Sequence, residues 1–187
     1  MKEREPNRKT LRLQKYDYSL PGAYFVTFCT YERKNTLSHI VGAIHESPVV
    51  EYTSMGHHVE AAIQSLPSHI PVIVDSYVIM PNHVHLMVLV SPSDVQRAIR
   101  ESPLHCRSVL SRAVGYIKST ASKTIHRQYG SIPVWQRGYH DHVVRNSKEY
   151  DKINAYIHEN PLRWELDILY NHGMEALDAA VDKVSEE

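Results

Sequence analysis

Residues 71–90 read PVIVDSYVIM-PNHVHLMVLV. Two runs rich in β-branched residues flank Pro81-Asn82, a turn signal, so the pattern predicts strands over 71–80 and 83–90 joined as a hairpin. Side chains on a strand alternate between faces. His83 and His85 therefore point one way and Val84 the other. Two imidazoles on one face can share a metal ion, although a lone His-x-His on a strand is more commonly a pair of core or surface histidines.

Working outward from this hairpin, residues 23–30 (AYFVTFCT) read as another strand. Val59, Ala62, Ile63 and Leu66 give a helical spacing over 55–66. Val109, Ala113, Tyr116, Ile117 and Thr120 do the same over 108–127. A short strand is expected near 142–144. A last helix is expected over 147–159, with Ile153 and Ile157 one turn apart and Ser147 as its N-cap. Pro161 forces an end nearby, because the residue before a proline avoids the α region. Residues 31–52 read as a loop, and 91–103 as a loop or a short helical excursion. The order strand, helix, strand, strand, helix, strand is that of an α+β, ferredoxin-like split βαβ fold with an antiparallel sheet. One extra helix follows the last strand. In that topology the first and third strands are central, which puts His83 and His85 mid-sheet.

The chain of 187 residues is long enough for one domain with a real core. Cys29 and Cys106 have neither CxxC nor zinc spacing and read as reduced thiols of a cytoplasmic protein. The opening MKEREPNRKT lacks the apolar centre of a secretion signal. The apolar runs are too short to span a bilayer. Net charge is +0, mild evidence against a nucleic-acid binder, but the charge is unevenly placed. Lys2, Arg4, Arg8, Lys9, Arg12 and Lys15 make a basic head. Glu175, Asp178, Asp182, Glu186 and Glu187 make an acidic tail. The sum can vanish while one face stays positive. AIHESP at 43–48 and AIRESP at 98–103 are near-copies without a larger period; they read as in-frame insertions of repetitive DNA at two tolerant loops, or as coincidence.

Two further features could carry chemistry. Tyr156 and Asn160 lie four residues apart on the last helix and share a face, although a tyrosine there is more often core and Asn160-Pro161 reads first as a helix stop. Residues 135–142 (WQRGYHDH) combine rings for stacking on bases with an arginine for phosphate. A strand edge with one buried tryptophan is the plainer reading.

Three blocks resemble the REP-associated tyrosine transposases of the HUH superfamily. The first is Arg12-Leu13-Gln14-Lys15-Tyr16-Asp17-Tyr18-Ser19 with Tyr24-Phe25-Val26-Thr27. The second is Met80-Pro81-Asn82-His83-Val84-His85. The third runs from Trp135-Gln136-Arg137 through Arg145-Asn146 to Tyr156-Ile157 and Asn160-Pro161. Their order and spacing match the family over roughly residues 8–165. The departures are the two AI-x-ESP loops and His140, where many relatives have an aromatic residue.

The resemblance implies the HUH endonuclease fold, with residues 1–22 as a basic DNA-contacting segment, 23–165 as the catalytic domain and 166–187 as an acidic tail. It implies that His83 and His85 are the paired metal ligands, Asn160 the polar third ligand and Tyr156 the nucleophile, acting with Mg²⁺ or Mn²⁺. The implied reaction cleaves single-stranded DNA to a 5′-phosphotyrosine and a free 3′-OH, beside hairpins of repetitive extragenic palindromes. Arg8, Lys9, Arg12 and Lys15 would meet phosphates or guanine edges, and Tyr16 and Tyr18 would stack on bases. Lys118, Arg137 and Arg145 would make further DNA contacts. The implied protein is cytoplasmic and nucleoid-associated, without a membrane partner, with a monomer favoured and a dimer as the alternative. Competing readings are a domesticated copy that binds repeats without cutting, an RNA-recognition domain, whose aromatic pattern His83-Val84-His85 does not match, and a histidine-triad hydrolase, which needs a histidine where Met87 stands.

Overall fold

The computed structural model describes residues 20–42, 48–93, 108–167 and 169–170. The basic head to residue 19, residues 43–47 and 98–103 of the two near-copies, and the acidic tail from 171 lie outside them, so the readings placed on those segments do too.

Strand β1 (Gly22–Cys29) alternates strictly. Tyr24, Val26 and Phe28 are buried on one face, while Phe25 and Thr27 face the other. Strands β2 (Ser38–Val41) and β3 (Val49–Tyr52) pair as a separate antiparallel ribbon. Helix α1 spans Ser54–Ser65. Strands β4 (Ile73–Ile79) and β5 (His83–Val90) form the expected hairpin. Helix α2 spans Val109–Tyr129, β6 spans His140–Val144 and α3 spans Ser147–Glu159. The main sheet is antiparallel throughout, with order β4-β5-β1-β6. This is the α+β, ferredoxin-like arrangement, with β1 and β5 central.

The sheet is covered on both faces. On one, Tyr24, Val26, Phe28, Val84, Leu86 and Val88 pack with Val59 and Ile63 of α1 and with Leu110, Ile117 and Ile125 of α2. Burying each such side chain contributes about 1.5–3 kcal/mol. On the other, Val78, Met80 and Met87 meet Ile157 of α3 and Trp164. With cover on both sides, every residue of β5 but Leu89 is buried. The close approach of α1 depends on Gly56, where an added Cβ would lie 2.0 Å from the Leu37 carbonyl oxygen.

Three local expectations need correction. Residues 31–52 are not simply a loop: they hold a 3-10 turn (Tyr31–Arg33), β2 and β3. Four-residue strands are too short to display an alternation. The N-cap of α3 is Asn146, not Ser147. Its backbone is extended (φ −157°, ψ 166°) and its side chain accepts from the Glu149 N–H at 2.9 Å. Finally, Pro161 does not push Asn160 out of the α region. Asn160 has φ −55° and ψ −41°, and the chain runs on as a 3-10 turn over Asn160–Leu166. A proline in a first turn gives up an N–H that would have been free anyway.

Candidate metal and nucleophile site

The turn between β4 and β5 is closed by the Met80 N–H donating to the His83 carbonyl at 2.9 Å. Residues 30–37 cross over it. The Pro81 carbonyl accepts from the Thr36 and Leu37 N–H groups at 2.9 and 3.0 Å, and the Asn82 carbonyl accepts from the Thr30 N–H at 2.9 Å. Asn82 and His83 are thereby fully enclosed.

The enclosure fixes a tautomer. The Asn82 amide nitrogen donates to the Leu169 carbonyl at 2.9 Å. Its amide oxygen therefore faces His83 Nδ1, 2.8 Å away, and must accept from it. A proton on Nδ1 leaves the lone pair on Nε2. That Nε2 is buried and has no hydrogen-bond partner. The His85 ring is oriented by Thr27 Oγ1, 2.7 Å from its Nδ1, a hydroxyl that can donate or accept. Burial, and secondly the charge of Arg33, push the His83 pKa down to about 3. Burial, then the neighbouring His83, hold His85 well below the usual histidine range, against the opposing pull of Asp167. Both rings are neutral at pH 7, the form that binds metal.

Helix α3 lies across the same face. A bulge in β4 between Val74 and Ser76 frees Asp75 from the ladder, and Asp75 accepts a hydrogen bond from Tyr150 of α3. Ile157 is buried beside Met87 and Val78. These anchors set the helix so that Tyr156, 36% exposed, reaches the imidazoles: its hydroxyl is 3.4 Å from His85 Nε2. One turn on, Asn160 is buried, and its amide oxygen has no partner.

Asp167, which sequence reasoning missed, completes the group. Its Oδ2 accepts from the Tyr156 hydroxyl at 3.1 Å and from Asn160 Nδ2 at 2.9 Å, and its Oδ1 accepts from the Leu169 N–H at 2.7 Å. His83, His85 and Asp167 each offer a ligand atom, all within 4.8 Å of one another. Two aimed imidazole nitrogens, a carboxylate and an orphaned amide oxygen form a donor set that fits Mn²⁺ or Mg²⁺. The only signal for Asp167 in the sequence was a lone acid after an aromatic turn, beyond the Pro161 near which the helix carrying Tyr156 was expected to end. Asn82, read from sequence only as a turn residue, also orients a ring.

No family model matches the chain. An "Uncharacterized protein" of Haemophilus influenzae is 28% identical over 174 residues, 88% of this chain and 93% of its own length. A "Putative REP-associated tyrosine transposase" of the same organism is 24% identical over 157 residues, 79% of this chain and 74% of that protein. A solved structure of a REP-associated tyrosine transposase, bound to a REP hairpin, superposes with a TM-score of 0.56 at 19% identity, covering 81% of this chain and 74% of the other. The chain has the fold of a REP-associated tyrosine transposase.

Within this transposase fold, a cleft of about 550 Å³ opens beside the site. Arg33, His85, Gln136, Arg137, Tyr139 and Tyr156 are among the residues that line it. Arg137 is exposed here. Arg145, exposed at the end of β6, gives its backbone N–H to Glu149 at 2.7 Å. Lys118 is turned inward: its ammonium donates to the Gln136 and Gly138 carbonyls at 2.6 and 2.9 Å. Arg8, Lys9, Arg12, Lys15, Tyr16 and Tyr18 lie outside the described residues. Among the described residues, no helix is long and apolar enough to cross a membrane.

Proposed function

We propose that the protein is a metal-dependent transposase that cuts single-stranded DNA with Tyr156 and rejoins it. Its substrate on this reading is DNA beside hairpins of repetitive extragenic palindromes, the kind of hairpin held by the transposase of like fold. The observation that carries the reading is the meeting of a tyrosine hydroxyl with a neutral, aimed imidazole pair, 3.4 Å across 71 residues of sequence.

His83 and His85, with oxygens of Asn160 and Asp167, would hold the ion. A bound Mg²⁺ or Mn²⁺ supplies Lewis-acid polarisation of a phosphate and neutralisation of its charge. The protein's own groups do the rest. Burial first, then the charge and hydrogen bond of Asp167, push the Tyr156 pKa up to about 12, so the phenol is neutral at pH 7. Its proton leaves as the new bond forms, and the nearest acceptor is Asp167 Oδ2 at 3.1 Å. The Tyr156 oxygen bonds to phosphorus while the P–O3′ bond breaks, and the departing 3′ oxygen takes up a proton from water. The phosphotyrosine keeps the bond energy, so another 3′-OH can reverse the step without ATP.

The test is a denaturing gel of the protein with Mn²⁺ and labelled hairpin DNA with single-stranded flanks. A covalent protein–DNA adduct is expected, and Tyr156→Phe abolishes it. Cutting that persists in Tyr156→Phe refutes the nucleophile. Hairpin binding without any adduct favours the domesticated, non-cutting copy.

A further inference from the structure

The segment that closes over the histidine turn carries an arginine that the reading above leaves unused. Residues 29–37 are pinned at both ends. Besides the bonds to Pro81 and Asn82, the Tyr31 N–H donates to the Val134 carbonyl at 2.9 Å and the Gln136 N–H to the Cys29 carbonyl at 3.0 Å. Between the pins, Glu32 and Arg33 both take left-handed backbone angles, φ 55° and 54°. That region is unfavourable for any residue with a Cβ, and a chain needing only a turn would place glycine there. Non-glycine residues held in it cluster at functional sites.

The side chains show what the strained turn achieves. Glu32 is drawn aside by Lys34, 3.2 Å away. Arg33 forms no ion pair with any described residue and lines the cleft with His85, Arg137 and Tyr156. Its charge is felt by the buried His83 ring and by the Cys29 thiol. An exposed cation lining the same cleft as His85 is repulsive toward a metal ion held there. An anion seated between the two reverses the sign, and a guanidinium offers paired N–H donors suited to phosphate oxygens.

We propose that Arg33, which lines the cleft with His85 and Tyr156, binds the phosphodiester of single-stranded DNA presented to Tyr156. The proposal rests on the reading of the site as a DNA-cutting centre, but its binding step is measurable without cleavage. In a Tyr156→Phe background, affinity for labelled hairpin DNA with single-stranded flanks is measured by fluorescence anisotropy over a range of salt. Arg33→Gly and Arg33→Gln are each expected to weaken binding about 10-fold at low salt. Each should also reduce the slope of log K against log salt by about 0.7, the loss of one single-strand phosphate contact. Arg33→Lys should restore part of both. Arg33→Gly relieves the left-handed strain, so its melting temperature should hold or rise while affinity falls, which a merely structural role would not produce.

Unchanged affinity and slope in Arg33→Gly and Arg33→Gln would overturn the proposal, whatever the wild-type protein does to DNA. Absence of any adduct with intact Tyr156, alongside weakened binding in both variants, would sink the cleavage reading and leave the phosphate contact standing.

Discussion

Lys118→Met separates two roles that sequence could not distinguish. The long helix suggested a solvent-facing lysine for the DNA backbone, yet its ammonium spans the carbonyls of Gln136 and Gly138 at 2.6 and 2.9 Å. It also lies 5.8 and 5.9 Å from the Phe28 and Trp135 ring centroids. Burial lowers its pKa to about 8, so at pH 7 it still donates as a cation. Methionine keeps most of the stem and removes the charge. Charge-assisted hydrogen bonds contribute about 1.5–3 kcal/mol each when their acceptors are buried. Here Gly138 is exposed and water can replace the donor, so the pair together with the ring contacts is worth about 1–3 kcal/mol. For a chain of this size that lowers Tm by roughly 3–9 °C. Calorimetry checks the shift, and hydrogen exchange should show faster opening around residues 136–139. DNA binding should weaken through the disordered cleft wall, with its salt slope unchanged. An unaltered Tm together with a slope reduced by about 0.7 would refute the argument and return Lys118 to the phosphate backbone.

Gly56→Ala should destabilise the fold by about 1–3 kcal/mol, because the new Cβ meets a backbone carbonyl that cannot step aside; urea denaturation measures it. Asn82→Ala should weaken Mn²⁺ binding about 10–100-fold by calorimetric titration, since His83 loses the partner that fixes its tautomer. His83 makes stability depend on acid in a stated window. Above pH 6.5 the ring is neutral in both states and its contribution is complete. As pH falls from 6.5 toward about 3, the unfolded chain takes up a proton that the buried ring refuses, so stability drops by up to about 1.4 kcal/mol per unit. Urea midpoints between pH 7 and 5, with a chelator present, should fall less steeply in His83→Gln.

The legible part of the fold was the part with a period. β1, β4, β5, α1, α2 and α3 each carry enough residues to show an alternation or a helical stripe, and their order determined the sheet. β2 and β3, four residues each, carry too few. At the start of α3, Asn146 and Ser147 are both capping types, and only the backbone angle at Asn146 decided between them. At its end, a rule for residues before proline gave way to a 3-10 turn that needs no N–H from Pro161.

From the sequence alone came every relation that depends on near neighbours: His83 and His85 on one face of a strand, Tyr156 and Asn160 one turn apart, basic residues gathered ahead of β1. Such relations follow from fixed backbone repeats. The tertiary structure alone decided that α3 crosses the imidazole face, that Asp167 returns beneath Tyr156, that Asn82 aims a ring and that Lys118 turns inward. α3 meets His85 across 71 residues of chain, and Asn82 is turned toward His83 by its bond to Leu169, 87 residues away. Asp167 comes back to Tyr156 only through the non-helical turn after Asn160. Packing and hydrogen bonds decide these placements, and no periodicity along the sequence encodes them.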